Sequence, residues 1–191
     1  MNLKQTFAIK PAAVALMALM AATRFDHMGT AVALPDASLA VFFLAGLWLG
    51  GRYFFALLLM EAAAVDYWAI SQMGVSDYCV SPAYAFLIPT YAAMWLAGQY
   101  CRNWQTLSLR HMALQLIALV TATSAAFLIS NSSFYWLSAN IQQPSWAQYV
   151  ETFSHYFSSY CAATLLYAVM ILAVVHVFRW IRAENSQHSQ I

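Results

Sequence analysis

Six apolar runs, separated by short polar breaks, make up most of the chain: Ile9–Thr23, Ala37–Gly50, Tyr53–Ile70, Pro82–Tyr100, Leu109–Ile129 and Phe153–Trp180. Each predicts a helix. The last four are long enough to cross a bilayer, which takes roughly 20 helical residues. The first two are shorter, and if they end below the surface they leave a depression on one face. No internal repeat, low-complexity tract or linker interrupts the series, so residues 1–191 read as one domain.

Composition turns these runs into membrane helices. The chain is 63% hydrophobic and 8% charged, with a mean hydropathy of +0.63. A soluble domain carries about 25% charged residues, so a water-facing surface could not be covered here. The expected fold is all-α: a polytopic membrane protein with six transmembrane helices. A net charge of +1 gives no sign of a nucleic-acid-binding surface. Residues Met1 to Ala22 have the outline of a signal peptide, with Lys4 and Lys10 ahead of an apolar run. Met20, however, fits poorly at the −3 position of an A-x-A-like cleavage site ending at Ala22. The segment is therefore expected to be the first membrane helix.

Orientation follows from Lys and Arg, which are enriched in cytoplasmic loops. In a six-helix serpentine, Lys4, Lys10, Arg52, Arg102, Arg110, Arg179 and Arg182 all fall on one side, and only Arg24 falls on the other. Both termini are thus expected in the cytoplasm.

The outer side then collects most of the residues able to do chemistry. Its first loop carries Arg24-Phe25-Asp26-His27-Met28-Gly29 and Pro35-Asp36, and its second carries Asp77, Tyr78 and Cys79. Ser81-Pro82 reads as an N-cap followed by the first helical residue, since proline lacks the N–H that would be orphaned there. Cys79, two residues ahead of that cap, faces free N–H groups and a positive dipole end, which favour a thiolate. A small loop residue without chemistry is the plain alternative.

The third outer loop, from Asn131 to Glu151, has no Lys or Arg but holds Phe134, Tyr135, Trp136, Trp146 and Tyr149. Singly these are belt residues; together they resemble the lid of a site for a large, partly apolar ligand. Ser145-x-x-Gln148 has the form of a capping box and predicts a short surface helix from about Trp146 that leads into helix 6.

Helix 3 holds Glu61 near its middle and Asp66 toward its outer end. Ionisable groups in a span usually face the protein interior, and a five-residue separation keeps the two off one narrow face. Asp66 is at the depth of the outer site and is expected to contact a ligand. Glu61 reads equally as a packing hydrogen bond or a coupling group. Tyr84, one turn inside Ser81, can turn its hydroxyl toward the same cavity. His27 and Cys79 are both donors for soft or borderline metals, but no spacing such as H-x-x-x-H supports a bare zinc site. A metal already held in a macrocycle needs only one or two axial ligands and fits this sparse set better. Cys101 and Cys161 read as structural.

Taken together, Arg24-Phe25-Asp26-His27, Asp66-Tyr67 and Cys79-Val80-Ser81-Pro82-Ala83-Tyr84 resemble the BtuM family of bacterial vitamin B12 transporters. That family is similar to the S-components of energy-coupling factor (ECF) transporters. The resemblance implies an S-component-like bundle in the bacterial inner (cytoplasmic) membrane that binds cobalamin at its outer face. It implies that Cys79 is the axial ligand of cobalt and promotes loss of cyanide from cyanocobalamin, with His27, Asp66 and Tyr84 as surrounding contacts. It further implies docking of helix 1 onto an ECF transmembrane subunit driven by two ATPases. The alanine-rich helix matches the A-x-x-x-A habit only at Ala18/Ala22. The chain itself has no nucleotide-binding motif.

A second reading casts Cys79, His27 and Arg24 as the site of an exosortase-like membrane cysteine transpeptidase or peptidase, which requires the base within hydrogen-bond reach of the thiol. A disulfide oxidoreductase is disfavoured by the lack of C-x-x-C. A purely structural membrane subunit would leave the outer Cys and His without a role.

Overall fold

The computed structural model describes residues 11–26, 35–74, 81–104, 108–138 and 141–188. Among them are six α-helices and two 3-10 turns, with no strand. The helices are α1 (Pro11–Asp26), α2 (Ser38–Trp48), α3 (Arg52–Met73), α4 (Leu87–Tyr100), α5 (Leu109–Leu137) and α6 (Trp146–His188). One 3-10 turn, Pro82–Phe86, leads into α4, and another, Cys101–Trp104, leaves it. Three helices are long and apolar enough to cross a membrane: α3, α5 and the Trp146–Phe178 part of α6.

The bundle is built around its shortest helix. Every residue of α2 from Ser38 to Leu47 is buried, Phe42, Phe43 and Leu44 completely so. α4 runs alongside α2, and α1, α3 and α6 close the remaining sides. At about 16 Å for eleven residues, α2 reaches only half of a ~30 Å hydrocarbon layer. The long helices show the opposite pattern, exposing large apolar side chains such as Met60, Tyr67, Ile117, Leu128, Leu166 and Val174. An apolar exterior of this kind suits lipid rather than water.

α2 and α4 cross with their backbones in direct contact, and a glycine from each makes this possible. A Cβ on Gly46 would strike the carbonyl oxygen of Trp95, and one on Gly98 would strike the carbonyl oxygen of Phe43. Small residues allow such approach where burial against lipid offers no driving force between helices. Phe42 then stacks on Tyr91 across the same interface, with ring centroids 4.2 Å apart and planes 4° from parallel.

The buried threonine hydroxyls are satisfied locally. Thr23, Thr90, Thr123 and Thr164 each donate to the carbonyl four residues back, at 2.9, 2.7, 2.8 and 3.1 Å. This keeps a hydroxyl inside an apolar helix without an orphaned donor.

The fourth run does not begin as an α-helix. Pro89 lacks the N–H that would bond to Ala85, so an unbroken α ladder cannot run from Pro82. The residues ahead of it take the tighter 3-10 form instead. The start itself is as expected: Ser81 is extended, its side chain accepts from the Ala83 N–H at 3.3 Å, and Pro82 follows.

One expectation for the third loop is corrected: the stretch Asn131–Leu137 belongs to α5. The helix expected from about Trp146 does start there and leads into the sixth run, as one continuous 43-residue α6 with no break between the two parts. What remains between the helices is residues 138–145. Tyr135, buried at the end of α5, is the physical reason. Its hydroxyl donates to the Ser145 carbonyl at 2.8 Å and accepts from the Ser145 N–H at 2.9 Å. The Gln148 N–H bonds Ser145 Oγ at 3.3 Å, as a capping box requires. Gln148's side chain turns to Tyr135 instead of back to Ser145. One tyrosine thus supplies half of the cap and pins the two helices together.

Candidate functional site

α1 packs against α3, and the last turn of α1 meets the C-terminal half of α3 beside the start of α2 and the 3-10 turn before α4. Arg24, in the last turn of α1, joins them. Its Nε and NH2 donate to the two carboxylate oxygens of Asp66 on α3, both at 2.5 Å. Its NH1 reaches the Tyr91 hydroxyl at 2.8 Å, Ser38 Oγ at 3.0 Å and Asp36 at 3.3 Å. Arg24 and Asp66 are 7% and 4% exposed, so the pair is buried. The planar fork of guanidinium matches a carboxylate with two parallel bonds, which an ammonium cannot do.

The remaining members lock into this pair. The Tyr84 hydroxyl donates to Asp66 Oδ2 at 2.5 Å. Asp36 accepts from the Ser38 N–H at 2.9 Å and from its hydroxyl at 2.6 Å, turning the chain into α2. Thr23 accepts from the Ala37 N–H at 3.2 Å and binds the end of α1 to the start of α2. Around one cation stand two carboxylates and two phenols, a net formal charge of −1.

The sequence-derived residues are distributed as follows. Asp66 and Tyr84 come together and are bonded to each other. Cys79 and His27 lie outside the described residues; in sequence they follow α3 and α1. Glu61 is not part of the cluster, and its Oε2 is buried with no hydrogen-bond partner among the described residues. Ala18 and Ala22 lie on an exposed face of α1.

The expected aromatic lid takes a different form. Tyr135, Trp136, Trp146 and Tyr149 are all helical and pack on one another, Trp136 and Trp146 with ring centroids 4.8 Å apart. The chain of rings continues through Phe153 and Phe157 to Phe127. These rings join α5 to α6. Trp146 is still 70% exposed and Trp136 37%, so only the rim of the cluster is free to meet a ligand or lipid headgroups.

Asp36, Ser38 and Tyr91 were not anticipated as site residues. A signal for Asp36 existed: the lone outer-side Arg, next to an apolar run, must find carboxylates, and Asp36 is one of few available. Tyr91 gave none, because its pairing depends on how α4 packs on α2.

Cys101 and Cys161 are free thiols. Cys101 is fully buried just past α4, and burial pushes its thiol up to about 11. At neutral pH this leaves well under one part in roughly a thousand as the reactive thiolate. Maleimide treatment of the folded protein should leave Cys101 unmodified by mass spectrometry until denaturant is added. Rapid native-state labelling there would show that the end of α4 opens.

No family model matches the chain, and no curated protein matches it.

Proposed function

We propose that this chain is a cobalamin uptake protein of the bacterial cytoplasmic membrane, with six spanning helices, both termini cytoplasmic, and a corrinoid site at the outer end of the bundle. One observation carries the reading. The three short segments on which the resemblance rests contribute Arg24, Asp66 and Tyr84, and these side chains form one bonded chain at one end of the molecule. Residues far apart in sequence thus converge. Cys79 and His27 belong to the same segments as Tyr84 and Arg24.

In this reading the Cys79 thiolate is the axial ligand to cobalt, and His27, Asp66 and Tyr84 surround the corrinoid. Cobalt arrives held in its macrocycle as part of the cargo, so a single soft donor from protein suffices. Donation from sulfur weakens the bond on the opposite face of the ring, and cyanide leaves with its electron pair as the anion. The exposed face of α1 at Ala18 and Ala22 is the docking stripe for an ECF transmembrane subunit and its ATPases.

The exosortase-like alternative is less well supported. It needs Arg24 to act on a substrate, whereas its guanidinium is engaged by Asp66, Asp36, Ser38 and Tyr91.

The test is the visible spectrum of purified protein after incubation with cyanocobalamin, wild type beside Cys79→Ala. A spectral change that co-purifies with wild type, is absent from the variant and is accompanied by released cyanide is expected. If neither protein retains corrinoid, the reading fails. If both change alike, Cys79 is not the ligand.

A further inference from the structure

Asp66 receives three donors through two oxygens: Arg24 Nε on Oδ1, and Arg24 NH2 with the Tyr84 hydroxyl on Oδ2. A carboxylate held at both oxygens cannot rotate without breaking both guanidinium bonds. The direction in which Oδ2 meets Tyr84 is therefore fixed by Arg24. Arg24 is itself fixed from its other side by Tyr91, Ser38 and Asp36. Tyr84 sits in the short 3-10 turn Pro82–Phe86, which is capped by Ser81 and packs against α4 and α5. The turn is tied to α4 by the Thr90 hydroxyl on the Phe86 carbonyl. The Tyr84–Asp66 bond ties it to α3 and, through Arg24, to α1.

We propose that Arg24 is a positioning residue: acting through Asp66, it sets the Tyr84 hydroxyl and the Pro82–Phe86 turn relative to α1 and α2. The consequence for ligand binding rests on the corrinoid reading above, in which Tyr84 is a contact. The mechanical link does not. Because the clamp uses the full width of the guanidinium, lysine cannot replace it: one ammonium cannot grip both Asp66 oxygens and still reach Tyr91 and Ser38.

The experiment is hydrogen–deuterium exchange on the full-length protein in detergent, comparing wild type, Tyr84→Phe, Arg24→Lys and Arg24→Lys/Tyr84→Phe. A charge-balanced Arg24→Gln/Asp66→Asn protein guards against a variant that fails to fold. Amides of the Pro82–Phe86 turn are expected to exchange about tenfold faster in Tyr84→Phe and in Arg24→Lys alike, and no faster when the two are combined. Amides where α5 meets α6 should not change, which a general loosening of the fold would not allow. The charge-balanced protein should match Arg24→Lys. Unchanged turn exchange in Arg24→Lys and in the charge-balanced protein would overturn the proposal, as would rate increases that multiply in the double variant.

Cyanocobalamin affinity, measured on the same proteins, should fall with the same lack of additivity. If wild type binds no corrinoid, the functional reading fails while the exchange data still decide the role of Arg24.

Discussion

Asp66→Ala is expected to lower the stability of the folded protein by about 3 kcal/mol, the lower end of the cost of breaking a buried ion pair. The loss arises less from the missing attraction than from the Arg24 charge left behind in a buried position. Asp36 would remain as a partner, but through one contact at 3.3 Å and with a third of its own side chain open to solvent, which is why the lower end applies. Asp36→Ala should accordingly cost only about 1 kcal/mol, in the range of a partly exposed pair.

Removing both charges tests this account. Arg24→Met/Asp66→Leu leaves no buried charge and should recover most of the loss, since apolar replacements of buried pairs are often neutral or stabilising. Thermal midpoints of the detergent-solubilised proteins check the order. If Asp66→Ala unfolds within about 1 kcal/mol of wild type, the pair is solvated and Arg24 is not a clamp. Tyr84 supplies a second consequence: without Asp66 its hydroxyl loses its acceptor, so ligand affinity should suffer even in the charge-free protein that regains stability.

Gly98→Leu is expected to prevent recovery of a monodisperse folded protein. Even a methyl group at position 98 would collide with the Phe43 carbonyl oxygen and press on the Leu47 N–H, and the reciprocal collision at position 46 involves the Trp95 carbonyl. Overpacking usually costs about 1–3 kcal/mol when side chains can move aside. Here the obstacle is backbone, and α2 is enclosed along its whole length, so the helices must part and the Phe42–Tyr91 stack with them. Gly98→Ala should therefore cost about 3 kcal/mol, the top of that range.

Gly74 provides the contrast. It ends α3 in the left-handed region at φ 67°, with open space where a Cβ would point. Gly74→Ala should cost about 1 kcal/mol, from backbone strain alone. Equal yields and thermal midpoints for Gly98→Ala and Gly74→Ala would show that the α2–α4 crossing tolerates a side chain at position 98.

Much of the architecture was legible in the sequence because the signals for it are local. An apolar run declares a helix wherever it occurs, and all six runs became one. Ser81-Pro82 fixed a helix start because the cap and the missing N–H are properties of adjacent residues. Asp66 and Tyr84 stood out because a charge in an apolar helix, or a phenol just inside a cap, is conspicuous before its partner is known. The extent of α5 was not legible. Asn131, Ser132 and Ser133 read as loop, yet they stay helical with Tyr135 anchoring the turn that follows. That anchor pairs residues ten apart across a turn, which no local pattern announces.

The sequence by itself determined an all-helical chain with an apolar surface, the order of its elements, and the short segments that bear its chemical groups. Each of these follows from hydropathy and capping within a few residues. Only the tertiary structure decided that Arg24 grips Asp66 rather than water, that Tyr91 and Ser38 complete its coordination, and that Gly46 and Gly98 bring α2 and α4 into contact. Those outcomes depend on which helix faces are pressed together. A charge or a glycine in a sequence states a need, for a partner or for space, and packing alone selects what meets it.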